Sequence, residues 1–481
     1  MPKNPNTALA PLLREAGMSN SDLARAVNQL GSRQNCRFRY DRTAVAHWLG
    51  GSRPRRPVPD LVAQILSMSL GRIVTPAETG LLAGDTAQRP PHPASADRAL
   101  RELGAAENDP QQRGALLHLP WSASSCTGGS APGGPAGTAE VGVGPRPLRG
   151  VDHEVLSLYG TQFNTLFEAR GSGAARTALR AFVTVDAVSY LTSQASAAQR
   201  QSVQLSVARL ALLLASATFD AHHLGLAQRY HRAGLALARE ADDVNLQAII
   251  LRTMSNQART IGFLADAREL AEAAARLRRQ LPSATRAFLL SGSAAIHAAE
   301  GDERRSLACL DEADHFVQAA TAAASDPYAA YSRAAFEHQR GEVLALLRHH
   351  EPAVAAFSAS LERRPDEHHR TRAITTCLKA MTQLRMGHLE AACTSLRETL
   401  HERAQVDSPR LEHLLHTLHQ EVRPYRRHPQ VSALLQQHGP HPHTGASAPT
   451  AYPVLPSQSS ATTRRDARAA ARVCPGSGAT T

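Results

Sequence analysis

The sequence predicts an all-α protein, and three observations lead to this fold class. The apolar residues are mostly Ala and Leu, which are strong helix formers, while aromatic residues make up only 4% of the chain. Amphipathic stretches with helical periodicity run through most of the chain. Small residues recur within these stretches at regular intervals, as they do where helix backbones approach each other closely.

The 481 residues are too many for one ordinary core, and composition divides them into four regions. Residues 1–85 are predicted to form a compact basic domain. Residues 86–150 are predicted to be a flexible Gly/Pro-rich linker, in which "DRALRELGAA" and "GALLHLPW" are short ordered pieces. Residues 151–437 read as nearly continuous amphipathic helix, and residues 438–481 as a disordered basic tail.

Positive charge lies at the two ends of the chain. Residues 1–72 contain eleven Lys/Arg and four Asp/Glu, a net +7, and residues 423–481 contain seven Arg and one Asp, a net +6. The whole chain carries +11, so the middle is close to neutral at −2. This distribution is expected if one end of the chain, rather than its middle, binds a polyanion. At the C-terminus the favoured explanation is that the basic residues only keep the protein soluble.

Cysteine usage and hydropathy indicate a cytoplasmic protein. The six cysteines are scattered and form no CxxC pair, which argues against a disulfide framework or a structural zinc site. Residues 1–19 lack the apolar core of a signal peptide. The most apolar stretch, Leu210–Phe219, is too short to span a bilayer, so no membrane association is expected.

The helical body repeats. Small residues occur in triplets with spacings of twelve and then seven, and in three triplets a Gly lies five residues before the middle member, where a turn should join two antiparallel helices. The triplets are Ala215/Ala227/Gly234, Ser255/Ala267/Ala274, Ala294/Ser306/Ala313, Gly341/Ala353/Ser360 and Ala380/Ala392/Thr399, with Gly262, Gly301 and Gly387 as the turn glycines.

This pattern resembles the tetratricopeptide repeat, most closely in "GEVLALLRHHEPAVAAFSASLERRP". Successive middle members are 40, 39, 47 and 39 residues apart, longer than the usual repeat of about 34. The resemblance implies helical hairpins stacked into a right-handed solenoid, whose concave groove would suit a peptide, small-molecule or protein ligand. A plain helical bundle without a groove is the alternative.

Residues 7–80 read as four or five short helices. The first two are "NTALAPLLREAG", which ends at Gly17, and "SNSDLARAVNQLG", which ends at Gly31. The ten-residue excursion "SRQNCRFRYD" precedes a third helix, "DRTAVAHWLGG", capped by Asp41 and ended by Gly50 and Gly51. A closing segment, "LVAQILSMSLGRIVTPAETGL", supplies a further amphipathic helix.

The third helix has two faces, and this division suggests a DNA-binding surface. Val45, Trp48 and Leu49 fall on one side and are predicted to be core, while Thr43 and His47 project from the opposite side, where base edges could be read. Basic residues that would contact phosphates flank this face and are held by prolines in "GGSRPRRPVPDL". They are Arg42, Arg53, Arg55 and Arg56. A solvated surface loop is the alternative interpretation.

The arrangement resembles the helix-turn-helix of phage-repressor-type regulators, with "LARAVN" as the supporting helix. The ten-residue excursion is longer than the usual turn. Through "LARAVN", "VAHWLGGSRPR" and "RIVTPAETGL", residues 7–80 resemble actinobacterial regulators that combine this motif with tetratricopeptide-like repeats and repress sporulation and antibiotic production. Over residues 151–437 the resemblance is in architecture only. The resemblance implies transcriptional control in differentiation or secondary metabolism.

Other site types find little support. The histidines, including His413, His416 and His419, lack the spacing of a dedicated metal site. No phosphate loop or enzyme signature is found, so no catalytic activity, metal or cofactor is expected. The leading hypothesis is a homodimeric regulator of double-stranded DNA whose repeats sense a ligand or partner. The alternative is an interaction scaffold without specific DNA binding.

Overall fold

The computed structural model describes residues 5–33, 38–55, 58–70, 74, 76, 78–81, 95–119, 121, 148–149, 152–277, 281–319 and 331–437. These ranges are helical and contain no β-strand, which confirms the all-α prediction. The helices are α1 Leu9–Glu15, α2 Asn20–Arg33, α3 Arg42–Leu49, α4 Val58–Leu70, α5 Ala96–Asn108, α6 Pro110–Leu117, α7 Asp152–Arg170, α8 Ser172–Ala181, α9 Val188–Leu191, α10 Ala197–Asp220, α11 Leu224–Glu240, α12 Val244–Thr260, α13 Leu264–Arg276, α14 Ser283–Glu300, α15 Glu303–Ala319, α16 Arg333–Leu346, α17 His350–Arg363, α18 His369–Arg385, α19 Leu389–Arg403, α20 Pro409–Val422 and α21 Pro429–Gln437. A π-helical turn, Phe182–Ala187, joins α8 to α9.

Helices α1 to α4 form the N-terminal domain around one apolar core. Leu9, Leu23, Val45 and Leu66 are each completely buried there, and further apolar side chains of all four helices join them. One predicted boundary was wrong, because α2 continues through Gly31 to Arg33. Glycine only lowers helix stability by about 1 kcal/mol, and it does not force a helix to end.

The five small-residue triplets correspond to five antiparallel helix pairs. These hairpins are numbered one to five in chain order: α10–α11, α12–α13, α14–α15, α16–α17 and α18–α19. Every triplet residue is buried. Gly341 shows why small residues are needed, since a Cβ there would lie 2.6 Å from the Phe357 ring. The repeat pattern therefore located the hairpins correctly.

All five hairpin turns use the same left-handed backbone position. Gly262, Gly301 and Gly387 have φ angles of 89°, 81° and 80°. In hairpins one and four the equivalent residues are His222 and Arg348, with φ angles of 65° and 64°. A residue with a Cβ is strained by roughly 1–2 kcal/mol in this conformation.

Replacing Arg348 with glycine is therefore expected to stabilise the protein by about 1 kcal/mol, because the strain is relieved at an exposed turn. Urea unfolding followed by circular dichroism measures the change. Arg397→Gly, on an exposed face within α19, is the control. It should lower the free energy of unfolding by about 1 kcal/mol, because glycine is unfavourable inside a helix. Equal destabilisation by the two substitutions would show that the Arg348 turn stores no strain.

The range predicted to be a linker contains two packed helices, α5 and α6. We call helices α7 to α21 the helical array. Leu100 and Leu116 are completely buried against its first part. Glu107 of α5 is also buried, accepts a hydrogen bond from Tyr230 and lies 2.6 Å from the Arg176 guanidinium. Both helices contact α11, and α6 also contacts α4 of the N-terminal domain. Residues 86–94, 120, 122–147 and 150 of the predicted linker, and the predicted tail 438–481, lie outside the described residues.

The helical array curves until its first and last parts meet. The Asp407 N–H donates to the Arg170 carbonyl at 2.8 Å, and the Gly173 N–H donates to the Asp407 carbonyl at 3.0 Å. The Arg370 guanidinium of hairpin five pairs with Glu168 of α7 and with Asp220 of hairpin one. An open solenoid would keep these segments apart, so the array is a closed curve.

One helix among those described, α10, is long and apolar enough to span a membrane by length and composition alone. About 72% of its apolar window is buried inside the array. It packs against α7, α8 and α11, as the central helix of a helical core does.

Candidate nucleic-acid interface

Helix α3 begins and ends where the sequence indicates. The Asp41 carboxylate accepts a hydrogen bond from the Ala44 N–H at 2.9 Å, and this bond lowers the pKa of Asp41 below its ordinary value. At the other end the Gly50 N–H donates to the Ala46 carbonyl, and Gly51 adopts a φ of 96°. The result is a two-turn helix with both ends fixed.

The two faces of α3 are divided as predicted. Val45 is completely buried and Trp48 is 4% exposed, so Trp48 is a core residue. Thr43 and His47 are exposed on the opposite side, and Arg42 is exposed at the first residue of the helix. The structure therefore brings the two proposed base-reading residues onto one solvent-facing surface, with one proposed phosphate contact exposed at the start of the helix.

The loop before α3 is fastened to α2. The Asn28 side chain donates to the Tyr40 carbonyl at 2.7 Å and accepts from the Tyr40 N–H at 2.9 Å. The Tyr40 ring packs against Phe38 and edge-on against Trp48, with centroid distances of 5.5 and 5.1 Å. Although residues 34–37 lie outside the described residues, the end of the long excursion is held in a defined position against both helices.

Asn6 fixes α3 from its C-terminal side. Its N–H donates to the Leu49 carbonyl at 2.8 Å, its side-chain amide donates to the Thr79 carbonyl at 2.8 Å, and its side-chain oxygen accepts from the Ala8 and Leu9 N–H groups. The sequence analysis missed this role. An Asn just before a helix is a recognisable cap, but its bonds to Leu49 and Thr79 depend on the tertiary fold.

The basic residues after α3 are only partly described. The Ser52 N–H donates to the His47 carbonyl at 2.8 Å, which directs the chain back along the helix. Arg53 and Arg55 follow and are both exposed, whereas Arg56 lies outside the described residues. Arg39 is also exposed and sits two residues before the α3 cap, so it adds positive charge at the start of the helix.

Comparison with known proteins gives one finding for this region. Residues 9–82 match the family model described as the SP15 N-terminal domain. The match begins with α1 and ends just beyond the Thr79–Leu81 segment that anchors Asn6. The comparison with curated proteins finds no match for the chain.

Within the ranges that the structure describes, no group of three or more His, Cys, Asp or Glu side chains is arranged to hold a metal ion. His413 faces His222 with ring centroids 5.7 Å apart, and burial lowers the pKa of both imidazoles. These histidines are therefore part of the packing between α20 and hairpin one.

Proposed function

We propose that the protein is a sequence-specific DNA-binding regulator of transcription, with a helical array that senses a ligand or partner. The observation that carries the proposal is the geometry of α3. This short helix is anchored at both ends, buries Val45 and Trp48, and presents Thr43 and His47 on an exposed surface with basic residues on either side. A helix presented in this way fits the major groove of B-DNA.

The proposed roles follow from side-chain chemistry. Thr43 and His47 carry groups that hydrogen-bond to base edges, and these contacts would determine specificity. Guanidinium groups on the flanks pair with phosphate oxygens and would supply affinity that falls as salt rises. These phosphate contacts are assigned to Arg42, Arg53, Arg55 and Arg56.

A pull-down of sheared genomic DNA with the full-length protein, followed by sequencing, tests this proposal. A sequence-specific regulator should enrich discrete fragments that share a common site. Uniform recovery of fragments, or none above input, would contradict specific DNA binding and favour the scaffold hypothesis. Repeating the pull-down at two salt concentrations distinguishes uniform recovery through phosphate contacts from the absence of DNA binding. Only binding to phosphates weakens steeply with added salt.

One surface of the array favours a protein partner, and we propose that the partner is a second copy of the chain. Exposed apolar side chains follow one face of α7, namely Val155, Leu158, Tyr159 and Leu166. No charged residue occurs between Val155 and Phe167, so two copies of this face could meet without repulsion. A dimer would present two N-terminal domains to two DNA half-sites.

Leu158→Glu is expected to weaken self-association at least a hundredfold, because the two-fold interface would then bury two carboxylates close together. Sedimentation equilibrium of the full-length protein measures the dissociation constant. Phe263→Glu is the matched control, since Phe263 is also exposed and apolar but lies at the turn of hairpin two. A monomeric wild-type protein, or equal effects of both substitutions, would exclude α7 as the dimer surface.

A further inference from the structure

An open cleft lies between hairpins four and five. It has a volume of about 720 Å³ and is lined by α17 of hairpin four and by both helices of hairpin five. Clefts of roughly 300–1,000 Å³ are the size that small ligands occupy in proteins. All of the lining residues belong to the array, so a molecule bound in this cleft would contact the array alone.

One end of the cleft is lined by side chains that are already paired. The Arg372 guanidinium donates to the Glu402 carboxylate at 3.0 Å and to the Leu361 carbonyl at 3.2 Å. These bonds tie α18 to α19 on one side and to α17 on the other. Because its polar groups are satisfied within the protein, this end offers little to a charged ligand.

Lys379 lines the cleft farther along α18, two helical turns beyond Arg372. Seven residues at a rise of about 1.5 Å each place the two Cα atoms roughly 10 Å apart. Lys379 is partly buried, and among the residues that the structure describes no carboxylate pairs with its ammonium group. A partly buried ammonium group without a partner favours a ligand that supplies an anion.

Glu398 brings the opposite charge into the same cleft from α19. Helices α18 and α19 are antiparallel and the Arg372–Glu402 pair sets their register, so Glu398, one turn before Glu402, lies near Thr376, one turn beyond Arg372. Within the described part of the chain no basic side chain pairs with Glu398, and Lys379 does not pair with it either. An ammonium group and a carboxylate therefore line one cleft without neutralising each other.

The remaining charged side chains leave the cleft electrically balanced. Its lining contains three Lys or Arg residues and three Glu residues, so the net charge is zero when His401 is neutral. Arg397 and Glu362 are both exposed, and Glu362 has Arg363 at 3.8 Å. A balanced lining with separate charges of both signs disfavours a polyanion and matches a molecule that itself carries both charges.

We propose that the cleft between hairpins four and five binds a small zwitterion, with the ligand carboxylate on Lys379 and the ligand ammonium group on Glu398. An α-amino acid carries the two charges close together and an ω-amino acid carries them apart, and both have the required chemistry. The inference rests on the proposed sensing role of the array and names the chemical class of its ligand. Its test requires no DNA, so it is separate from the test of operator binding.

Isothermal titration of the full-length protein tests the cleft with two zwitterions, leucine and 6-aminohexanoate. Hexanoate and hexylamine, at equal ionic strength, are the probes that carry only one of the two charges. At least one zwitterion should bind once per chain, about tenfold or more tightly than either singly charged probe. Binding of leucine assigns an α-amino acid, and binding of 6-aminohexanoate alone assigns separated charges. No binding of either zwitterion, or equally tight binding of a singly charged probe, would overturn the proposal.

Substitutions assign each charge to its partner. Lys379→Gln should remove the preference for the zwitterion over hexylamine, and Glu398→Gln should remove the preference over hexanoate. A merely structural role would not produce this charge-specific pattern. Glu390→Gln, at an exposed position in the first turn of the same helix as Glu398, is the matched control and should bind as the wild type does. Equal affinities in all three variants would overturn the proposal, and circular dichroism verifies that each is folded.

The lysine content of the chain allows a direct check of the location. Lys3 and Lys379 are the two lysines of the sequence, so reductive methylation with ¹³C-formaldehyde labels few groups and leaves their positive charge in place. The NMR signal of Lys379, assigned by its loss in Lys379→Arg, should shift as the zwitterion is added, while the Lys3 signal stays in place. A Lys379 signal that does not move at saturation would place the binding elsewhere and overturn the proposal.

Discussion

Replacement of Thr43 and His47 by alanine is expected to abolish the enrichment of discrete genomic sites while general DNA binding persists. Each lost base contact should cost about 1–3 kcal/mol, or roughly five- to more than hundredfold in affinity for the specific site. Both side chains are exposed on α3, opposite Val45 and Trp48, so their truncation leaves the core intact. Circular dichroism checks that the variant remains folded.

The Arg53/Arg55/Arg56→Ala variant should behave differently. Each phosphate contact contributes roughly 0.9 to the slope of log affinity against log salt, so three lost contacts should reduce the slope by about 3. Binding would weaken for all sequences alike, and the pattern of preferred sites would remain. Fluorescence anisotropy with one specific and one unrelated duplex, at four salt concentrations, measures both quantities.

A charge-matched control separates local contacts from overall charge. Arg98, Arg305 and Arg363 are exposed on α5, α15 and α17, and their replacement by alanine removes the same three charges elsewhere. This triple variant should keep nearly the full salt slope. The proposed manner of DNA reading by α3 is wrong if this control loses as much of the salt slope as the Arg53/Arg55/Arg56 variant. It is also wrong if the Thr43/His47 variant still enriches the discrete genomic sites.

The sequence predicted the repeated hairpins well because their cause is local and periodic. A small residue is required wherever two helices cross closely, and the spacing of twelve and seven places three such residues in each hairpin. Glycine identified three of the five turns. His222 and Arg348 occupy the same turn position against their intrinsic preference, so no propensity could reveal them.

Features that join distant segments could not be predicted in the same way. The sequence indicated the cap at Asp41 and the buried face of α3, since both depend on neighbouring residues. The bond from Asn6 to Leu49 and the pairing of Asn28 with Tyr40 connect segments whose proximity only the tertiary fold creates. The closure of the array likewise depends on ion pairs between residues about 150 to 200 positions apart.

Arg370→Met is expected to destabilise the protein by about 3–5 kcal/mol, because it would leave two carboxylates without their buried partner. Arg370 is 12% exposed, and its side chain lies over the Phe167 ring at 4.1 Å while it pairs with Glu168 and Asp220. Urea unfolding followed by circular dichroism measures the loss. Arg363→Met, at an exposed site on α17, is the control and should change stability by less than about 1 kcal/mol.

Two further measurements test whether the unpaired carboxylates cause the loss of stability in Arg370→Met. Adding Glu168→Gln and Asp220→Asn to Arg370→Met should recover most of the lost stability, since neutral amides tolerate burial better than carboxylates. Burial alone would raise the pKa of Glu168, but Arg370 and Thr371 hold it below its ordinary 4.5. The pairing therefore stabilises the fold fully above that pH, and its contribution is lost as the pH falls through the folded pKa. The difference between wild type and Arg370→Met should accordingly narrow in acid, whereas a loss caused only by packing around Phe167 would not change with pH.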